Sequence, residues 1–177
     1  MSPAAEDKLE AVKVDIKDND KLKKSFQIIV FKLGQEDYAL SIDQIKEVVI
    51  TPNIARIPLT QSYIKGVANI RGNVLAIVDL AERFGLAEEN ETPSTTPRYT
   101  LVVSSEEYKM GILVKDVPNT LRVTEADIDA SPNIIQDNAM ENNYIRGIVK
   151  AGNRMIVLID IFKVITKEDK EFISKGQ

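Results

Sequence analysis

YIKGVANIRGNVLAIVDL, from Tyr63 to Leu80, returns later in the chain as YIRGIVKAGNRMIVLIDI, from Tyr144 to Ile161. Such self-similarity at a constant offset indicates a duplicated structural unit. The two copies differ at their central turn, where Arg71 has opposite it only Gly152 or, if the Gly-Asn dipeptides are superposed instead, Ala151. A shared scaffold explains the agreement, so we expect function at the unmatched Arg71.

Composition excludes several classes of protein. With 177 residues, of which 44% are hydrophobic, the chain can bury a sizeable core as one domain or as two small, closely joined units. A net charge of −4 provides no basic patch for nucleic acid. The longest apolar runs are Val74–Val78 and Met155–Ile159, far short of the roughly 20 residues that span a bilayer. The first residues contain no apolar signal-peptide region, so we predict a cytoplasmic protein without membrane insertion.

Catalytic chemistry has little support in the residue types. The chain contains no cysteine and no histidine, which removes thiolate nucleophiles, imidazole bases, phosphohistidine relay and the usual zinc sites. Its eight glycines form no phosphate-binding motif. We therefore predict no enzyme activity, no cofactor and no metal.

Two groups of carboxylates are possible sites. Asp79 and Asp160 end matching apolar strands, and because both copies keep the residue, capping of backbone amides explains them better than acid–base chemistry. Glu125, Asp127 and Asp129 alternate in a loop that lacks the glycine and terminal acid of a calcium loop, which favours a solvated turn.

Along the chain, strand signals dominate. Residues 1–24 carry six acidic and six basic side chains and few large apolar ones, which predicts a disordered or loosely docked arm. FQIIVFKL and YALSI form a predicted hairpin, and the apolar spacing over 42–49 predicts a short core helix. The polar stretch 87–97 resembles a linker. Each half contains about five short strands, so we predict an all-β fold of two small barrels or a sandwich of two.

Three stretches carry a family resemblance: FQIIVFKLGQEDYALSIDQIKEVV, IPLTQSYIKGVANIRGNVLAIVDLAERFG and the echo YIRGIVKAGNRMIVLIDI. Together they resemble the CheW family of chemotaxis coupling proteins over about residues 25–165. The resemblance implies two intertwined, pseudo-symmetric, five-stranded SH3-like barrels within a CheW-like domain at 25–177. The first barrel is expected at about 25–90 and the second at about 91–165, with a short C-terminal helix at about 161–174.

The resemblance also implies a role and its residues. The family bridges the cytoplasmic tips of methyl-accepting chemoreceptors and the regulatory domain of the histidine kinase CheA without catalysis, at membrane-associated receptor arrays. By position, the implied receptor-binding residues are Ile42, Ile45, Glu47, Arg71, Val117 and Leu121. The implied kinase-binding residues are Ile54, Ile57, Leu59 and Gly66.

Two other functions remain open at this point. A coupling protein of a non-motility or surface-motility kinase pathway would carry the same pattern. A small-ligand binding protein or enzyme would instead use the groove between the barrels.

Overall fold

The computed structural model describes residues 24–87, 98–130 and 144–175, and these residues form an all-β protein, as predicted. The predicted arm at 1–24 and the predicted linker at 87–97 lie almost wholly outside the described residues. The strands, rich in β-branched residues, are β1 Ser25–Leu33, β2 Glu36–Ser41, β3 Ile45–Ile50, β4 Ile64–Ile70, β5 Asn73–Val78, β6 Tyr99–Ser104, β7 Lys109–Val114, β8 Asn119–Thr124, β9 Ile128–Asp129, β10 Ile145–Ala151 and β11 Arg154–Ile159. The helices are α1 Leu80–Arg83, α2 Ile161–Val164 and α3 Lys167–Lys175.

The strands form two sheets that exchange hairpins. One sheet has the order β8-β1-β2-β11-β10-β9, and the other has the order β3-β6-β7-β5-β4. Parallel pairing of β2 with β11 and of β5 with β7 inserts each hairpin into the sheet built by the other half of the chain. Neither sheet is therefore built from one continuous range such as 25–90 or 91–165, the ranges expected for the two barrels. The β1–β2 and β6–β7 hairpins each pair with strands from the opposite half of the chain.

Each sheet is closed by the chain that leaves its edge strand. β3 pairs with β6 at one edge, and a few residues later Ala55 bridges Val67 in β4 at the opposite edge. In the other sheet, β8 pairs with β1, and β9 then pairs with β10. Closure removes the free sheet edges that would otherwise pair with other chains.

A glycine in each copy makes this closure possible. Gly66 has φ +140° at a bulge in β4, and a Cβ there would lie 2.0 Å from the carbonyl oxygen of Ala55. Gly147 occupies the matching bulge in β10, where a Cβ would lie 2.7 Å from Ile128 Cγ2 and 2.8 Å from the Asp129 carbonyl oxygen. The duplicated glycine is thus a requirement of close backbone approach.

Three hydrophobic clusters explain the apolar runs. Side chains from both sheets build the largest cluster between the barrels, and two smaller clusters fill the barrel interiors. Alternation in β1 sends Ile28 and Val30 into one interior and Ile29 and Phe31 into the shared cluster. Strands buried on both faces are apolar without interruption.

Two predicted helices differ in the structure. The apolar residues at 42–49 form a 3₁₀ turn, Ile42–Gln44, followed by strand β3. Their spacing fits one helix face equally well, but pairing with β6 decides for the strand. The C-terminal helix predicted at 161–174 is two helices, α2 and α3. Thr166 separates them because it caps α3 in a reciprocal pair of hydrogen bonds with Asp169.

The C-terminal helix is anchored to the first repeat unit by a buried carboxylate. The Tyr63 hydroxyl donates to Asp169 Oδ1 at 2.6 Å, and Asp169 is only 3% exposed. Burial, followed by the hydrogen bond to Asp169, raises the pKa of Tyr63 to about 12. One side chain of α3 therefore both caps its helix and holds the start of β4 in place.

Replacing Gly66 by alanine is expected to lower the free energy of unfolding by about 2 to 4 kcal/mol, because the new methyl group meets the Ala55 carbonyl at an unfavourable φ. Gly72→Ala is the matched control: φ is +86° but nothing lies within 4 Å, so a cost of about 1 kcal/mol is expected. Urea unfolding measures both variants. Equal losses would contradict closure as the reason for Gly66.

Tyr63→Phe is expected to cost about 1 kcal/mol at neutral pH, since it deletes the hydrogen bond to Asp169. A raised pKa means that this stabilisation is complete below pH 10.0, the ordinary tyrosine value, and is lost as the pH rises towards about 12. Urea unfolding of both proteins across this range should show their difference shrinking. A constant difference would contradict the proposed role of the hydroxyl.

Candidate interaction surfaces

The unmatched arginine lies in a tight turn with left-handed backbone. Ile70 in β4 pairs with Asn73 in β5, so the turn consists of Arg71 and Gly72, with φ of +52° and +86°. Positive φ at both central residues is typical of a type I′ hairpin turn. Asn69 supports the turn, since its Oδ1 accepts from the Gly72 N–H at 2.9 Å. Arg71 holds a conformation that costs a non-glycine residue about 1 to 2 kcal/mol.

Arg71 forms an ion pair with Glu47, so the structure brings two predicted site residues together. Arg71 Nε lies 2.7 Å from Glu47 Oε2 on β3, which is the opposite edge strand of the same sheet. The Arg71 side chain is 75% exposed and that of Glu47 is 23% exposed. Surface pairs of this kind contribute at most about 1 kcal/mol to folding. Most of the guanidinium remains accessible to a partner's carboxylate.

The second hairpin is built differently. Ala151 pairs with Arg154, which places Gly152 opposite Arg71 and settles the alignment of the two turns. Arg154 does form an ion pair, with Nε 3.1 Å from Asp37 Oδ2, but Asp37 lies on the adjacent strand β2. The ion pair between a turn arginine and the closing edge strand is therefore particular to the first barrel.

A groove of about 320 Å³ lies between the two sheets. Its apolar residues are unusually accessible: Val48 is 41% exposed, Ile50 65% and Val117 61%. The groove is lined by Ile29, Val48, Val49, Ile50, Tyr99, Val117, Pro118 and Thr120. An exposed apolar concavity between barrels is typical of a docking surface.

Only part of the predicted receptor-binding set lines this groove. Val117 does, whereas Ile42 lies on the preceding 3₁₀ turn, outside the groove lining. Ile45 packs against the cluster between the barrels and Leu121 against the interior of the second barrel, so neither lines this groove, and their part in receptor binding stays a prediction.

The sequence interpretation missed Val48 and Ile50. The signal was present in IKEVVI, where alternation in a strand places Lys46, Val48 and Ile50 on one face. Reading the same residues as a helix concealed this face.

The predicted kinase-binding residues have unequal exposure. Ile54 packs against the interior of the first barrel, and Ile57 is half-buried. Gly66 is buried beneath the closing segment. Leu59 is fully exposed and has φ +63°, an uncommon combination for a branched apolar residue. Of the four, Leu59 presents by far the most apolar surface to a partner.

The duplicated aspartates have structural positions. Asp79 Oδ1 accepts from the Glu82 N–H at 3.2 Å, and Asp160 Oδ1 accepts from the Phe162 N–H at 3.1 Å, so they cap α1 and α2. Asp127 similarly closes a capping box with Thr124.

Among residues 24–87, 98–130 and 144–175, no group of three acidic side chains is arranged to hold a metal ion. Within the same ranges, no helix has the length and apolar character needed to cross a bilayer.

Comparisons with known proteins agree with this architecture. The family model of the CheW-like domain matches residues 27–169. The chain is 34% identical to chemotaxis protein CheW of Helicobacter pylori over 142 residues, which cover 80% of this chain and 82% of that protein. Chemotaxis protein CheW of Treponema pallidum is 29% identical over 147 residues, covering 81% and 84%.

A solved structure is also similar. The crystal structure of the scaffolding protein TtCheW from Thermoanaerobacter tengcongensis superposes with a TM-score of 0.68 at 27% identity. The superposition covers 81% of this chain and 90% of that one.

Proposed function

Because the chain belongs to the CheW family, we propose that it is a non-catalytic chemotaxis scaffold in the cytoplasm. In this proposal it joins the cytoplasmic tips of methyl-accepting chemoreceptors to the regulatory domain of the histidine kinase CheA. Receptors occupy the groove between the barrels, and the kinase contacts the first barrel around Leu59.

The observation that carries the proposal is that strand β3 serves two surfaces at once. Val48 and Ile50 supply exposed apolar area to the groove, whereas Glu47, between them and Ile45, forms the ion pair with Arg71. Apolar anchors provide affinity, and charges at the rim provide register and specificity. Strand β3 therefore carries both the apolar lining of the groove and one partner of the charged pair.

The kinase contact is assigned to Leu59 on different grounds. An exposed leucine held at positive φ costs conformational energy and is not buried by the described part of its own chain. Burial of such a side chain against a partner contributes about 1.5 to 3 kcal/mol. The segment that contains Leu59 also closes the first barrel through Ala55, so its backbone is well supported.

Arg71→Glu is expected to lower the free energy of unfolding by only about 1 kcal/mol, because it replaces a surface ion pair with two like charges. Binding of a receptor cytoplasmic fragment should weaken at least 30-fold, since loss of a charged interface contact costs about 2 to 5 kcal/mol. Titration calorimetry and a melting curve measure the two effects.

The second barrel supplies the control, Arg154→Glu, which breaks the ion pair with Asp37 on the adjacent strand and should bind normally. The charge-swapped pair Glu47→Arg with Arg71→Glu adds a second control. It restores the internal ion pair but should not restore binding if Arg71 contacts the partner. Unchanged affinity of Arg71→Glu for both partners would contradict the assignment of Arg71 as a binding residue.

Ile50→Asp or Val117→Asp is expected to lower receptor affinity tenfold or more, because a charge enters an apolar contact. Kinase binding should survive. Met155→Asp is the matched control, since Met155 is equally exposed at 67% but lies on the other barrel, away from the groove.

Leu59→Glu should show the reverse pattern, with kinase binding reduced and receptor binding retained. Pull-down with a receptor fragment and the kinase regulatory domain measures both. If neither partner is retained by the unmodified chain, the scaffold function itself is wrong, and a small-ligand protein becomes the better interpretation. Retention by receptors and kinase of a surface-motility system would instead assign the chain to that pathway.

A further inference from the structure

The groove and the N-terminal stretch of the chain have complementary features. We propose that the segment Leu9–Ile16 docks into the groove of its own molecule and competes there with the partner that the groove receives. The competition rests on the function proposed above, whereas the docking itself does not.

The N-terminal arm joins β1 at Ser25, and one face of β1 connects this end to the groove. In the pairing of β1 with β8, Ile29 lies opposite Thr120, and both line the groove. Two residues earlier Gln27 lies opposite Arg122, and Ser25 begins the strand. Side chains two residues apart share a face, so this face leads from Ile29 to Ser25 over about 13 Å.

The arm is long enough to return to the groove. Residues 17–24 span up to about 27 Å when extended, roughly twice the distance from Ser25 to Ile29. Asp18, Asn19 and Asp20 lie within this stretch, and these residue types favour turns. A reversal there would direct the preceding segment back along the groove face.

The segment also has suitable chemistry. Leu9, Val12 and Ile16 share one face of a helix, whereas Val12, Val14 and Ile16 share one face of a strand, so either conformation presents three apolar side chains. The groove offers exposed apolar side chains to receive them.

Charges near the groove match those of the segment. Glu10 and Asp15 flank its apolar residues and Lys13 lies between them, so the segment carries a net charge of −1. Lys46 shares the exposed face of β3 with Val48, and Arg122 lies on the exposed face of β8. Complementary charges of this kind set register rather than affinity.

Because the segment is covalently linked to the groove, weak intrinsic binding is enough to keep it docked most of the time. A short linker gives an effective concentration of about 1 mM. A segment docked for 90% of the time lowers the apparent affinity of a competing partner about tenfold. Receptor affinity would then depend on the arm although no arm residue contacts the receptor.

The absence of cysteine from the chain permits a direct test by disulfide formation. The full-length variant with Ile16→Cys and Val117→Cys is oxidised at low protein concentration and compared with the variant carrying Ile16→Cys and Met155→Cys. Val117 and Met155 are similarly exposed, at 61% and 67%, but only Val117 lines the groove. We expect the intramolecular disulfide to form at least tenfold faster in the Val117 variant.

Equal rates in the two variants would overturn the proposal, and so would disulfides that join two molecules, which indicate that a second copy fills the groove. The second measurement is the affinity of a receptor fragment for the chain lacking residues 2–18. A tenfold gain supports competition. Fast intramolecular cross-linking with unchanged receptor affinity would keep the docking and reject the groove as the receptor site.

Discussion

The parallel pairing of β2 with β11 and of β5 with β7 is the interaction on which this structure depends. Each pairing holds a hairpin in the sheet made by the other half of the chain. The central strands are therefore covered on both faces, by a barrel interior and by the shared cluster between the barrels. Because these contacts fix the two barrels against each other, the groove between them has a defined shape before any partner arrives.

The repeated stretch made the hairpins and the capping aspartates predictable, since these features depend on residues close together in sequence. Gly66 and Asp79 reappear as Gly147 and Asp160 because barrel closure and helix capping impose the same demands twice. The exchange of hairpins was not predictable in its ranges, because parallel pairing between distant strands leaves no local pattern. Family resemblance supplied the intertwining that periodicity could not.

The binding roles of the predicted site residues stay predictions, but the structure shows where their side chains lie. The sequence placed them more closely in turns than in strands, whose faces depend on tertiary packing. Glu47 and Arg71 were both selected, and the structure joins them in an ion pair. Leu121 was selected as a groove residue, but its side chain points into the second barrel. Whether an apolar side chain in a strand faces a core or a groove depends on which sheet covers it. In β3 the apolar residues also fit the spacing of a helix, so the exposed strand face was not recognised from the sequence.

The exchanged hairpins have a consequence for synthesis on the ribosome. Asp37 and Arg154 lie 117 residues apart in sequence, so the barrel that begins with the first strand is completed only when almost the whole chain has emerged. Contacts of such sequence separation slow folding. The β1–β2 hairpin must wait with apolar side chains on both faces uncovered, a state prone to aggregation. Neither half of the gene is then expected to encode an independently folding product, despite the duplication that it records.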